Sequence, residues 1–444
     1  MTTSRLPPRA RMQRRNSTNV IGRERHVDGA GPIVTKATLV IAATIIALLV
    51  QQVIGPIAIV MVIGLTLVLM VLHRHDLVHT LSRGAPVLAF GVLAMGSSLW
   101  STAPEVSFRY GGQLTITLVI AVLIAGTLPL RRFPHALFYG AGIVFLLGLA
   151  SGRHGMSDTG PVLIGLSGSK NSFGYVCLVT AMASYAMLIG IGGPPRWARL
   201  CALAALPLTM IGLLQGKAAA AQIQFVAGTG MFALVWWSVQ VSRGTRLLLL
   251  ACLLPISAGL FVAAPQLDEL ATYVRRDVLK KDETLTGRTE LWAKADALID
   301  ERPVLGWGYR STWLGNTPLT VGLLRWAKLP DGRGFNFHNL YREMRVDLGI
   351  PGVLLLAMLY LITTARLALA AYLSPTREGA FLLTLFTLTA LVRASTEMNV
   401  APFLFDTIFI FTMIVYAAQV PIDRDAPLAP KRTERTRPRL RSVD

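Results

Sequence analysis

The chain has 444 residues, 53% hydrophobic and only 15% charged, with a formal net charge of +19 and a mean hydropathy of +0.54. That balance excludes a soluble globular protein of this size and indicates a polytopic membrane protein. The excess arginine sits in the termini and in short loops between apolar stretches; this is a topology signal and not a binding face, so no nucleic-acid partner is expected.

Residues 1–35 are rich in Arg, Pro and Gly without apolar periodicity, which predicts a disordered, basic cytoplasmic tail able to touch anionic membrane lipids. A signal peptide is the competing reading, but the apolar run that follows is long and no small-residue cleavage pattern closes it. A bilayer core needs about 20 apolar residues per helix. Twelve candidates are found, at 36–53, 55–72, 85–101, 112–130, 136–151, 172–192, 200–215, 219–239, 247–264, 350–371, 379–395 and 401–420. The expected fold is therefore an all-α polytopic bundle, with nine spans within 36–264 and three within 350–420.

With the N-terminus inside, the inner connections hold Arg74 and Arg83, Arg131 and Arg132, Arg196 and Arg199, Arg243 and Arg246, and Arg366 and Arg377. The basic tail at 421–444 also returns inside. Twelve spans and the positive-inside rule agree, and they turn the long polar segment 265–349 outward, towards a periplasm or its equivalent. Within that segment Leu291, Ala295 and Leu298 recur at helical spacing while Lys294, Asp296 and Asp300 take the other faces. This predicts an amphipathic helix from Gly287 that Pro303 ends, and a folded cap over the bundle instead of a linker.

Cys177, Cys201 and Cys252 all lie in apolar stretches without metal-ligand spacing, so neither disulfides nor a zinc site is expected. No Asp-x-Asp motif or hard-metal carboxylate cluster is present, and no metal or cofactor is expected. Cations must then do any phosphate neutralisation. Arg288 stands at the start of the predicted helix, where free backbone N–H groups make an anion-binding corner; the alternative is a salt bridge to Asp282, Glu283 or Glu290. Lys170 and Lys217 each combine a cation with an expected helix start, as an anion site or as a snorkelling anchor, and Arg153 and Arg393 are weaker candidates. His338 heads a further expected helix with Arg342 and Arg345 on its face, which suits a general base acting on a hydroxyl. The competing reading makes His338 a cap and lets both arginines reach headgroups. Asn339 orients the ring or caps the helix.

Five segments, GSKNSFG at 168–174, QGKAA at 215–219, TGRTELW at 286–292, RPVLGWGY at 302–309 and FHNLYRE with LGIPG at 337–352, resemble in order and spacing the O-antigen ligase and polysaccharide polymerase family, ExoQ-type polymerases included. The resemblance implies a GT-C-like bundle without metal dependence. It would take an oligosaccharide from an undecaprenyl-pyrophosphate donor and join it to an acceptor hydroxyl on a glycan or a lipid A core. It also implies that Arg288 and His338 match the family's loop arginine and histidine. Lys217 stands where many ligases carry an arginine, which removes a bidentate fork from that position. TGRTELW with RPVLGWGY leans towards a polymerase over a ligase. A transporter is the alternative of another class, since twelve spans suit one, but the predicted spans hold few charges and the halves show no clear repeat.

Overall fold

The computed structural model describes residues 35–157, 160–242, 244–248, 251–252, 286–329, 335–395 and 397–422, with only the backbone for 286–289. The basic tails, most of the span expected at 247–264 and the first part of the polar segment lie outside the described residues. Among the described residues, seven helices are long and apolar enough to cross a membrane, or eight if the bent pair Pro56–Leu72 and Leu77–Arg83 is one span. Three more, Lys36–Leu49, Ala85–Leu99 and Phe405–Gln419, are apolar but shorter. The chain is a helical, multi-pass membrane protein.

In chain order the main helices are α1 (Lys36–Leu49), α2 (Pro56–Leu72), α3 (Ala85–Gly96), α4 (Pro104–Thr127), α5 (Phe133–Ala150), α6 (Lys170–Leu188), α7 (Arg196–Gly216), α8 (Ala219–Ser238), α9 (Thr286–Glu301), α10 (Pro318–Trp326), α11 (Leu340–Leu373), α12 (Arg377–Phe386) and α13 (Phe405–Gln419). Helix α1 packs on α2 and α5, α5 on α6, α6 on α7 and α8, α3 on α4, and α12 between α8 and α11. Buried α13 lies against α4. The outer helices expose whole apolar faces, as in Ile57, Val60 and Val71 of α2 and Leu354, Leu361 and Ile362 of α11. In water such faces would be untenable; against lipid they cost nothing.

The span expected at 112–130 belongs to a longer helix, because Pro104 at the first helical position fixes the start ahead of the apolar run. A two-stranded hairpin, β1 (His154–Ser157) with β2 (Gly160–Leu163), joins α5 to α6, where an all-α reading foresaw only a connection.

The arginine-rich connections gather at one end of the bundle. There Arg377 donates to Ile189 O at 2.7 Å, Arg246 to Tyr372 O at 2.9 Å, and Arg366 to Ala417 O and Ala418 O at 3.2 and 3.1 Å. All of these carbonyls lie at or beside helix C-termini, where backbone acceptors are left over and the dipole favours cations. So the residues that signalled topology also cap the helices.

At the other end α9, the short helix Ser311–Leu314 and α10 form a cap with its own apolar centre of Leu291, Ala295, Leu298, Trp313, Leu323 and Phe337. The buried Leu291, Ala295 and Leu298 are the stripe the periodicity predicts, and the helix ends two residues before Pro303. The cap is pinned where RPVLGWGY crosses LGIPG: Trp307 N donates to Val346 O, Gly308 N to Asp347 O and Ile350 N to Val304 O, at 2.8, 2.9 and 2.8 Å. Gly349 breaks α11 there with φ 61° and ψ −148°, a conformation open essentially to glycine. A Cβ on Gly349 would collide with Val304 O.

Gly349→Ala is therefore expected to destabilise the protein by about 1–3 kcal/mol from backbone strain alone, with the collision adding to that. Gly64→Ala, where a Cβ meets nothing within 4 Å, is the control and should be neutral or stabilising. Thermal unfolding of the purified protein in detergent measures both.

Candidate active site

Three segments far apart in sequence meet at the capped end. Ser169 caps α6 by accepting from Ser172 N at 3.1 Å, which fixes Lys170 and Asn171 in the first turn. The chain before α11 is held by aromatic packing of Trp313 with Phe335 and Phe337, and His338 follows at φ 50°, its N–H donating to Asn336 Oδ1 at 2.8 Å. The third segment follows α12, where a π turn at Thr387–Val392 and a 3-10 turn at Arg393–Ser395 redirect the chain so that Glu397 points between the other two. Such π turns recur at functional sites.

Glu397 is the junction. Its Oε1 accepts from Asn171 Nδ2 and its Oε2 meets His338 Nδ1, each at 3.1 Å. An ionised carboxylate only accepts, so Nδ1 carries a proton, and in the neutral ring the lone pair is then on Nε2. The His338 side chain is 29% exposed and Glu397 19%, and the ring of Phe335 stands edge-on to the imidazole at 5.3 Å. The result is an oriented imidazole with one free nitrogen at the bundle's polar end, the arrangement a general base needs.

Beneath it lies a buried ion pair. Arg310 Nη1 donates to Glu343 Oε1 at 3.1 Å and contacts Met398 Sδ at 3.3 Å, while Glu343 Oε2 accepts from Phe337 N at 2.8 Å. One pair thus fixes the residue before His338 and the residue after Glu397. Asp347 is buried one turn further along α11.

The remaining candidates distribute unevenly. Asn339 is the N-cap of α11, accepting from Arg342 N at 3.0 Å and donating to Ser395 O at 3.3 Å, so both ends of its amide are engaged within the protein. Arg342 forms a two-pronged pair with Asp296 at 2.9 and 3.2 Å and lies over Trp292 at 4.7 Å; it staples α9 to α11. Arg345 is half-buried, and its Nε has no hydrogen-bond partner among the described residues. Lys170 is in the first turn of α6, as expected. Lys217 does not open a helix: it closes α7 in a left-handed conformation (φ 49°), and α8 begins at Ala219. The Gly216–Lys217 turn lets the chain reverse, with Lys217 exposed beside the start of α6, where Ala218 packs near Gly174. Arg288 falls in the first turn of α9, and its side chain lies outside the described residues. Among the described residues no three His, Cys, Asp or Glu side chains converge as a metal site.

A second polar group flanks Glu397. Arg393, whose carbonyl accepts Glu397 N at 2.9 Å, places its guanidinium over the Tyr175 ring at 4.0 Å and donates to Asp406 Oδ2 at 3.4 Å.

Comparison with known proteins bears on this site directly. Residues 202–357 match the O-antigen ligase family model. Over 353 residues, covering 78% of this chain and 79% of its counterpart, the sequence is 27% identical to the exopolysaccharide production protein ExoQ of Rhizobium meliloti. These matches make the chain similar to ExoQ-like proteins of the O-antigen ligase and polymerase kind. The matched region contains Lys217, Arg288 and His338 but stops before Glu397. Sequence reasoning missed Glu397, Arg310 and the pairing of Asn171. Glu397 lies 59 positions from His338 in a segment without a recognisable motif, so only the fold could join them.

The two acids of the site should respond differently to substitution. Glu343→Ala leaves Arg310 buried without its anion and is expected to cost about 3–5 kcal/mol; Glu397→Gln keeps an acceptor at a partly exposed position and should leave unfolding nearly unchanged. Denaturation of both variants in one detergent checks the contrast.

Proposed function

We propose that this chain is a membrane glycosyltransferase that moves a glycan from an undecaprenyl-pyrophosphate carrier to an acceptor hydroxyl, with its site facing the periplasm of the inner membrane. The observation that carries the reading is the Asn171–Glu397–His338 junction, which joins two of the family-like motifs through a carboxylate. In this mechanism His338 Nε2 takes the proton of the acceptor hydroxyl as its oxygen attacks the anomeric carbon. The bond from that carbon to the pyrophosphate oxygen breaks, and the lipid pyrophosphate leaves with the electron pair. Glu397 holds the tautomer and stabilises the imidazolium that forms. Arg288, Lys217, Lys170 and Arg345 are the cations available to neutralise the leaving group without a metal. A GT-C-like bundle admits the lipid tail from the side.

Within this reading a repeat-unit polymerase is preferred, on the ExoQ likeness over most of the chain. The ligase reading, with a lipid A core as acceptor, has the family description in its favour. A deletion strain separates them: single lipid-linked repeat units accumulate if a polymerase is lost, and unreleased long polymer if a ligase is lost.

With purified protein and lipid-linked donor, His338→Ala is expected to keep donor binding and lose transfer by about 10²- to 10⁴-fold, with Glu397→Gln intermediate and no loss in EDTA. Near-normal transfer by well-expressed His338→Ala would remove the histidine from the mechanism. A reporter active only outside the cytoplasm should be active when fused near residue 300 and silent at residue 425; the reverse would put the site on the wrong side for a periplasmic reaction.

A further inference from the structure

Beside the Glu397 junction lies a cavity of about 80 Å³ between α1, α6 and α13. Its polar lining includes Ser167, Ser172, Tyr175, Arg393 and Asp406 with the amides of Gln51 and Gln52, and the rest of its wall is apolar, Leu48 and Phe405 among it. Three of these groups are buried with polar atoms that go unused. Ser167 Oγ, Tyr175 OH and Asp406 Oδ1 have no hydrogen-bond partner among the described residues, although the residues are only 3%, 3% and 5% exposed. The Tyr175 hydroxyl lies beside the Asp406 carboxylate, close enough for a weak interaction, but outside good hydrogen-bond geometry. Buried donors and acceptors left open at a cavity wall are costly to the fold and point to an occupant that completes them.

The charge on the wall says what kind of occupant. The Arg393 guanidinium already faces the Asp406 carboxylate and the Tyr175 ring, so the cavity offers no net cation to a phosphate. It offers instead a carboxylate oxygen that only accepts, three hydroxyls that do either, and two amides. That set, beside apolar side chains able to face C–H groups, suits a neutral polyhydroxyl compound.

We propose that this cavity is a sugar-hydroxyl subsite, receiving the hydroxyl-bearing edge of a neutral sugar unit, such as a hydroxymethyl group, of the glycan presented to His338. The placement relative to His338 rests on the transfer reading above; the binding itself does not.

The test uses the full chain in lipid nanodiscs and saturation-transfer NMR with methyl β-glucopyranoside and methyl β-galactopyranoside, with inorganic pyrophosphate as competitor. One glycoside is expected to bind the unmodified protein and to weaken about 3- to 10-fold in Ser167→Ala and in Tyr175→Phe, the worth of one hydrogen bond. Because these hydroxyls bond to nothing described, the melting temperature should hold or rise in both variants. His338→Ala should retain binding. Absence of glycoside binding, equal binding by all variants, loss of pyrophosphate binding in its place, or a lowered melting temperature with binding unchanged would each overturn the subsite. If glycoside binding follows the two hydroxyls while the purified protein transfers no glycan, the subsite stands and the transfer reading falls. Transfer with no glycoside binding gives the converse.

Discussion

The Arg310–Glu343 pair is the interaction on which the polar end of the molecule depends. Taking two charges out of water is expensive, and their attraction repays the cost only when the remaining hydrogen-bonding positions are also filled. Here two further contacts support it: Phe337 N donates to Glu343 and Arg310 Nη1 also meets Met398 Sδ. The pair therefore ties RPVLGWGY, the chain before α11 and the chain before α13 to a common point. His338 and Glu397 are the next residues along two of those strands of chain, and their 3.1 Å meeting is a consequence of the deeper pair.

The same economy explains why irregular backbone is confined to this end. In lipid every backbone N–H and C=O must be satisfied internally, so non-helical segments survive only where protein covers them. The turns around His338 and the bend after α12 are bonded to one another, and the hairpin before α6 satisfies its backbone by pairing with itself. At the opposite end the connections are short, and arginine side chains saturate the helix-terminal carbonyls.

Much of the site was legible, but not how its members are used. His338, Asn339 and Arg342 are adjacent in sequence and look equally available. Tertiary packing commits Asn339 to the α11 cap and Arg342 to Asp296 and Trp292, and leaves the imidazole half-exposed. Lys217 looked like a helix start because apolar residues follow it, yet the preceding helix runs through Gly216 and needs a left-handed residue to turn back.

Sequence by itself determined the membrane class and the amphipathic helix of the cap, because these follow from composition and from periodicities of a few residues that each segment carries alone. It also located His338, since the motif around it is local. Only the tertiary structure decided that Asn171, His338 and Glu397 converge, that Arg310 neutralises Glu343, and that Ser167, Tyr175 and Asp406 share a cavity. Those relations join residues up to 239 positions apart, and nothing in the spacing of a chain encodes which distant polar groups must find each other once the solvent is gone.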